Sequence, residues 1–360
     1  MISYFGEFVV RLVAWILGVT LLIGLVALAA FRMGGPPTPP KKSPAEVLRE
    51  AGALTASGHH EEALPLYDAA LGDKPRDTSG LLARGMCLLA LDRTADAERD
   101  FERCVRLEPT NWEAIAQIGR TRAMRDDHEG ALEAFERALA LGPGTAEIWF
   151  WKAGALFRLG RDAEAEIAYG KAIELNPLLG GAFEARGQVR LQKRDFARAL
   201  ADFNVARQML PPSTTLLSGM GLALMAVGRL QEADAAFSEA IQIDPRAART
   251  YHNRALARFA MGQHPAALQD AETALRIDPS LAKVFLLRGM ILAKATRHIE
   301  AIANITEALR LQPDDPEALR HRAASLRAIG REDLARHDED LASRTAPSLP
   351  GDTPTQPQPR

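Results

Sequence analysis

The chain has 360 residues, of which 47% are hydrophobic and 25% charged, enough apolar material for a substantial folded core. Its 44 Lys and Arg are balanced by 46 Asp and Glu, a formal net charge of −2 with both signs mixed along the chain, which argues against a general nucleic-acid surface. The two cysteines, Cys87 and Cys104, exclude a disulfide framework and a zinc-type ligand spacing, in keeping with a reducing compartment.

Residues 1–11 form a short stub. Residues 12–31 are uncharged and almost wholly apolar, and twenty residues at about 1.5 Å rise span about 30 Å, the thickness of a bilayer core. This predicts a transmembrane signal anchor, with Tyr4, Phe5, Phe8 and Trp15 as an interfacial aromatic belt. A cleaved secretory signal is the rival reading, since Ala27-Leu28-Ala29 mimics a cleavage site, although the apolar core exceeds the roughly 7–15 residues usual for one. Arg32, Lys41, Lys42 and Arg49 follow the stretch and only Arg11 precedes it. That asymmetry predicts a single-pass membrane protein with the rest of the chain cytoplasmic, a periplasmic or other extracytoplasmic placement being the alternative. Residues 32–43 are a proline-rich spacer, expected to be extended and semi-rigid.

From there the chain is periodic. Pro75, Pro109, Pro143, Pro177, Pro211, Pro245, Pro279 and Pro313 follow one another at intervals of 34 residues. Proline cannot continue a helix, so a strict proline period is a period of helix ends. Twelve residues before each proline stands an alanine, from Ala63 to Ala301. Four residues after that alanine comes a bulky residue, Tyr67, Phe101, Phe135, Tyr169, Phe203 and Phe237, giving way to Ala271 and Ile305 in the last two units. Earlier in each unit a small residue recurs, Ala51, Gly85, Gly119, Ala153, Gly187, Gly221, Ala255 and Gly289. Large and small positions three, four and seven apart share one helical face, and small residues let two helices approach closely. Each unit is therefore two antiparallel helices, bulky side chain set into small notch.

This pattern resembles the tetratricopeptide repeat, whose 34-residue signature places W-x2-L-G-x2-Y in a first helix, then A-x3-F and a closing proline in a second. The resemblance covers residues 44–315 as eight repeats: 44–77, 78–111, 112–145, 146–179, 180–213, 214–247, 248–281 and 282–315. It implies an all-α fold, a right-handed α-solenoid of helix pairs. Residues 316–343 keep Leu319, Ala323 and Gly330 in phase, but their second helix is polar nearly all round, as a C-terminal cap requires. Residues 344–360, rich in Pro, Thr and Gln, read as a disordered tail. Tryptophan fills its signature position only at Trp149, and the missing aromatics at Ala271 and Ile305 put the rigidity of residues 248–315 in question.

No catalytic constellation stands out. His59, His60, Glu61 and Glu62 lie at a turn and helix start rather than in a metal-ligand spacing, and there is no nucleophile elbow, H-E-x-x-H or dinucleotide fingerprint. No enzyme activity, cofactor or metal is expected. In the family, the concave groove is lined from the second, fifth, sixth, ninth, twelfth and thirteenth repeat positions. Carried over here, that rule gives Phe150, Trp151, Phe157, Leu191, Leu222 and Met225 in the middle of the array. Toward the C-terminus it gives Arg249, His252, Asn253, Phe259, Lys283, Leu287, Met290, Lys294, Arg320 and Arg327, with Leu286 and His321 beside them. Aromatics, Met and Arg together compose an adaptable binding surface. The resemblance thus implies a membrane-anchored scaffold that recruits a protein partner, an apolar or amphipathic segment held centrally and its acidic portion near residues 249–327, with the bilayer met by the N-terminal helix. An exported assembly factor or chaperone-like protein that holds unfolded clients is the alternative. Of the five residues by which co-chaperone members clamp a partner's terminal carboxylate, only Asn253 and Lys283 are matched, with Ser218, Leu222 and Leu287 in the other places. Arginine outnumbers lysine 36 to 8, pointing to a GC-rich bacterial source.

Overall fold

The computed structural model describes residues 42–345 and, ahead of them, residues 15, 18–23 and 25. From Pro44 onward the described residues form eighteen helices in nine pairs and no strand. The chain divides into two compact units, Met1–Ala114 and Ile115–Arg360. The first contains α1 (Pro44–Ala56), α2 (His60–Asp73), α3 (Thr78–Ala90) and α4 (Thr94–Leu107), and the boundary falls inside α5 (Trp112–Met124). The second continues with α6 (His128–Leu141), α7 (Ala146–Arg158), α8 (Asp162–Leu175), α9 (Gly180–Gln192), α10 (Phe196–Met209), α11 (Thr214–Ala226) and α12 (Leu230–Ile243). It closes with α13 (Ala248–Ala260), α14 (His264–Ile277), α15 (Ala282–Lys294), α16 (His298–Leu311), α17 (Pro316–Ala328) and α18 (Glu332–Thr345).

The periodic prolines stand in the turns that follow the even-numbered helices. Short polar side chains start several of the others. Ser43 and Glu46 form a reciprocal capping box, and Asp77, Asp127 and Ser213 each accept a backbone N–H from the first turn they precede. The turn within each pair holds one residue at positive φ at the same phase. Glycine fills it at Gly58, Gly160, Gly228, Gly262 and Gly330, while Asp92, Asp126, Arg194 and Thr296 adopt φ near 60° without that freedom.

The notch-and-bulk reading holds at atomic scale. A Cβ added at Gly221 would lie 2.5 Å from the Phe237 ring, and one at Gly119 would lie 2.7 Å from Phe135, so glycine here is set by the aromatic side chain opposite. The two units without an aromatic are no less closed. Ile305 is fully buried against the Gly289 notch, and Ala271 is fully buried beside Ala274 and Val284, with Tyr251 and Leu281 against them. The fold class, an all-α solenoid of helix pairs, is as expected within each unit.

A polar layer runs through this core that hydrophobic patterning does not reveal. Asp100, Asp202, Asp270 and Asp338 are at most 5% exposed, and each accepts a bidentate pair of bonds from an arginine sixteen residues earlier. The arginines are Arg84, Arg186, Arg254 and Arg322, with donor–acceptor distances of 2.6–2.9 Å. Where the arginine position carries Ile118 or Met220 instead, the aspartate position carries Ala134 or Ala236. A second arginine one turn on joins adjacent pairs: Arg190 donates to Asp202 and to Glu166 of the preceding repeat, and Arg258 donates to Asp270 and Asp234 in the same way. The Glu166 carboxyl is held below its usual range, first by the Lys193 hydrogen bond and then, against the cost of burial, by Arg190. The C-terminal pair uses this device too. The α18 helix is polar along most of its surface yet turns Ala335, Asp338 and Ala342 inward.

The expectation of a single-pass membrane protein is corrected. Among the described residues no helix is long and apolar enough to cross a membrane. The helices from α1 to α18 have 13 or 14 residues, about 20 Å at 1.5 Å per residue against the 30 Å needed. The remainder of residues 12–31, the stub, the spacer up to residue 41 and the tail beyond residue 345 lie outside the described residues. The bilayer contact and the cytoplasmic placement of the repeats fall with that assignment. Arg344 and Thr345, expected in the tail, belong to α18.

Candidate groove of the odd-numbered helices

Clefts of the second unit gather several of the expected groove residues. The central one, about 570 Å³, lies among α5, α6, α7 and α8. Its apolar wall is Trp151, Phe150 and Tyr169, and Gly154 and Ala155 supply the room between them. Phe150 meets Tyr169 at a ring separation of 5.7 Å, and Trp151 meets the buried Phe135 at 6.3 Å, so both wall residues are braced from behind. The Arg120 guanidinium carbon lies 5.3 Å from the Trp151 ring centroid. At the rim, Arg158 donates to His128 Nε2 at 3.4 Å and approaches Asp126 at 3.5 Å, and His128 is 3.5 Å from that same carboxylate. Burial pushes the Tyr169 phenol up to about 12, so it stays neutral and able to donate at physiological pH.

The second cleft, about 320 Å³, is nearer the C-terminus and is lined by Phe259 from α13, Met290 and Lys294 from α15, His298 from α16 and His321 from α17. Phe259 is 5.3 Å from the His264 ring. Lys294 is exposed and has no ion pair among the described residues.

The sixteen residues expected at the groove thus separate into groups. Phe150 and Trp151 share the central cleft, and Phe259, Met290 and Lys294 share the second. Phe157 is partly buried against Leu156 and Ala165, and Leu191, Leu222 and Met225 are partly buried against Leu216, Leu224 and Phe237. Leu287 is 1% exposed, packed with Ala255, Ala267 and Ile291, and is core rather than lining. Lys283 donates to Asp315 at 2.8 Å and lies 3.6 Å from Glu317, so its charge is answered within the chain. Arg327 is answered likewise by Glu332 and Glu339. Arg249 and Arg320 are exposed, and Asn253 is partly buried. His252 is partly buried with Nδ1 lacking a hydrogen-bond partner, and burial followed by the nearby Lys283 charge pushes its pKa down to about 4. With Lys283 engaged and Leu287 buried, the two-of-five clamp match has no working counterpart.

Sequence reasoning missed Arg120, Met124, Arg158, His128 and Asp126. The first three occupy ninth and thirteenth repeat positions, so the lining rule would have named them had it been applied one repeat earlier and in full. His128 and Asp126 come from the turn and the start of α6, which that rule omits. Among the described residues, no three His, Cys, Asp or Glu side chains are placed to hold a metal, and His59 pairs with Glu62 at 3.0 Å.

Family models described as tetratricopeptide repeat match residues 48–111, 117–179, 213–280 and 286–350. The chain is similar to the human protein O-mannosyl-transferase TMTC1, 28% identical over 52% of this chain and 22% of that protein. It is also similar to the tetratricopeptide repeat and J domain-containing co-chaperone DNJ1 of Fusarium oxysporum, 28% identical over 54% of this chain and 40% of that protein. The chain spans less than half the length of either relative. Among solved structures it is similar to the APC/C hetero-tetramer Cut9-Hcn1, with a TM-score of 0.55 and 16% identity over 78% of this chain and 55% of that one, a likeness of fold alone.

Proposed function

The chain belongs to the tetratricopeptide repeat family, and from that premise we propose that it is a non-enzymatic protein-interaction scaffold whose clefts on the odd-numbered helices take an apolar or amphipathic segment of a partner protein. The observation that carries this reading is the central cleft, where two braced aromatic rings stand at a surface opening beside cationic side chains. Pre-positioned aromatics beside arginine lose little freedom on binding and gain large contact area, the composition of interface hot spots. The displaced pKa values support a binding role rather than catalysis. Most trace to helix caps such as Asp77 with Ser79, or to neighbouring pairs such as Arg161 with Glu164, Arg229 with Glu232 and Arg297 with Glu300.

A photo-crosslinking residue placed at position 151, compared with one at the exposed position 167 on α8, tests the reading. Adducts to a defined protein segment from position 151, lost in a folded Phe150→Glu, Phe259→Glu variant, are the expected result; equal labelling from both positions would refute it. A second reading, a chaperone-like holder of unfolded clients, draws on the co-chaperone named among the relatives. It predicts that reduced, unfolded α-lactalbumin competes for the cleft, whereas a selective scaffold is indifferent to it.

A further inference from the structure

We propose that the central cleft recognises a single bulky apolar side chain of a partner peptide together with a carboxylate close to it in sequence, the apolar group resting on Trp151 and Phe150 and the carboxylate meeting Arg120. The inference rests on the protein-binding reading above and moves the acidic portion of the partner away from residues 249–327.

Arginines elsewhere on the odd-numbered helices are largely consumed internally. Arg84, Arg186, Arg190, Arg254, Arg258, Arg322 and Arg327 all donate to carboxylates of this chain. Arg120 does not: among the described residues no carboxylate pairs with it, and its recorded neighbour is the Trp151 ring. A guanidinium held over an aromatic face by its charge spends none of its N–H donors on that contact, and a free guanidinium can grip a carboxylate bidentately. The cleft holds one carboxylate, Asp126, and its side chain is 81% exposed and shared between His128 and Arg158 at 3.5 Å. Two arginines against one aspartate leave the cleft short of negative charge, which selects an acidic occupant over a basic one. The high pKa of the Tyr169 phenol adds no opposing charge. A volume of about 570 Å³ accommodates a large side chain with its flanking backbone, within the usual range of about 300–1,000 Å³ for ligand pockets.

Selection of a random-peptide phage library on the full chain, followed by calorimetric titration of a synthetic selected peptide, tests this. Enriched peptides are expected to carry Asp or Glu within four residues of Phe, Trp, Leu or Met. Affinity should fall at least about tenfold with Arg120→Glu and about thirtyfold with Trp151→Ala, and change less than about twofold with Ile167→Ala on the exposed face of α8. Arg120 is partly exposed and makes no hydrogen bond among the described residues, so its variant should keep the parent circular dichroism and melting curve; a Trp151 variant that fails this control is replaced by Phe150→Ala. Selected peptides that are basic or uncharged, or an affinity unmoved by Arg120→Glu, would overturn the proposal. Acidic peptides lost through Phe259→Ala alone would overturn it while leaving the scaffold reading intact. Enrichment of nothing at all would sink both.

Discussion

The central cleft and the C-terminal stretch from α13 to α18 carry similar side chains to opposite effect. Both set aromatics beside cations, Trp151 with Arg120 in one and Phe259 with Lys294 in the other, and the C-terminal stretch holds more basic residues. There Lys283 is taken by Asp315, Arg327 by Glu332 and Glu339, and Arg254 and Arg258 by Asp270, so that of the cations named here only the exposed Lys294 is left without an ion pair among the described residues. In the central cleft Arg120, over the Trp151 ring, has no carboxylate partner among the described residues. The binding character of a basic surface therefore follows from which charges remain unanswered after folding, and the number of lysines and arginines is a poor guide to it.

The largest test of this contrast is Asp270→Ala. It leaves Arg254, 14% exposed, without its carboxylate and Arg258, 19% exposed, with Asp234 alone, and should destabilise the protein by about 3–5 kcal/mol in denaturant unfolding. A loss below 1 kcal/mol would mean that water reaches the pair. Next comes pH. The His252 pKa is about 4 when folded against about 6.5 unfolded, so between those values the unfolded chain binds the extra proton. That contribution to stability is complete above pH 6.5 and is lost as pH falls toward 4. His252→Gln should flatten this part of the midpoint-versus-pH curve, and an NMR titration placing His252 near 6.5 would contradict it. The turns supply a smaller comparison. Thr296 is β-branched at φ 60°, so Thr296→Gly should raise the melting temperature, by about 0.5–1 kcal/mol in stability, and by more than Asp126→Gly at the rim of the central cleft. The smallest effect is expected from Lys283→Ala. Its exposed pair with Asp315 is worth about 0.2–1 kcal/mol, and affinity for acidic peptides should hardly change; a tenfold loss would return the acidic site to the C-terminal stretch.

Most of the fold could be read from residues whose influence is local. Proline ends a helix by lacking an N–H, and Gly221 admits Phe237 by lacking a side chain, so both leave periodic marks along the chain. The buried Arg–Asp layer left a mark as well, arginine and aspartate sixteen residues apart in three repeats and the C-terminal pair, but charged residues on amphipathic helices read by default as solvated. Only the depth of Asp202 and Asp338 within the helix pairs reveals otherwise. The groove was legible by repeat position and illegible by state. Leu287 holds a lining position yet fills core beside Ala255 and Ala267, and Lys283 holds one yet is spent on Asp315. These outcomes depend on neighbours 20 to 32 residues away, beyond what a single helical period conveys.

The arginines that reach between repeats bear on how the chain avoids misassembly. Near-identical helix pairs are prone to stack one repeat out of place, because the alanine notches and bulky residues fit almost as well after a 34-residue slip. Arg190 finds Glu166 and Arg258 finds Asp234 only when the repeats stack in order. A slip by one repeat would offer Arg190 the Leu132 position in place of Glu166, and Arg258 the Leu200 position in place of Asp234, burying a charge against hydrocarbon. The polar layer thereby acts as an address written along the array, and a variant replacing Arg190, Glu166, Arg258 and Asp234 with apolar residues would be expected to refold into a mixture of shifted and domain-swapped forms.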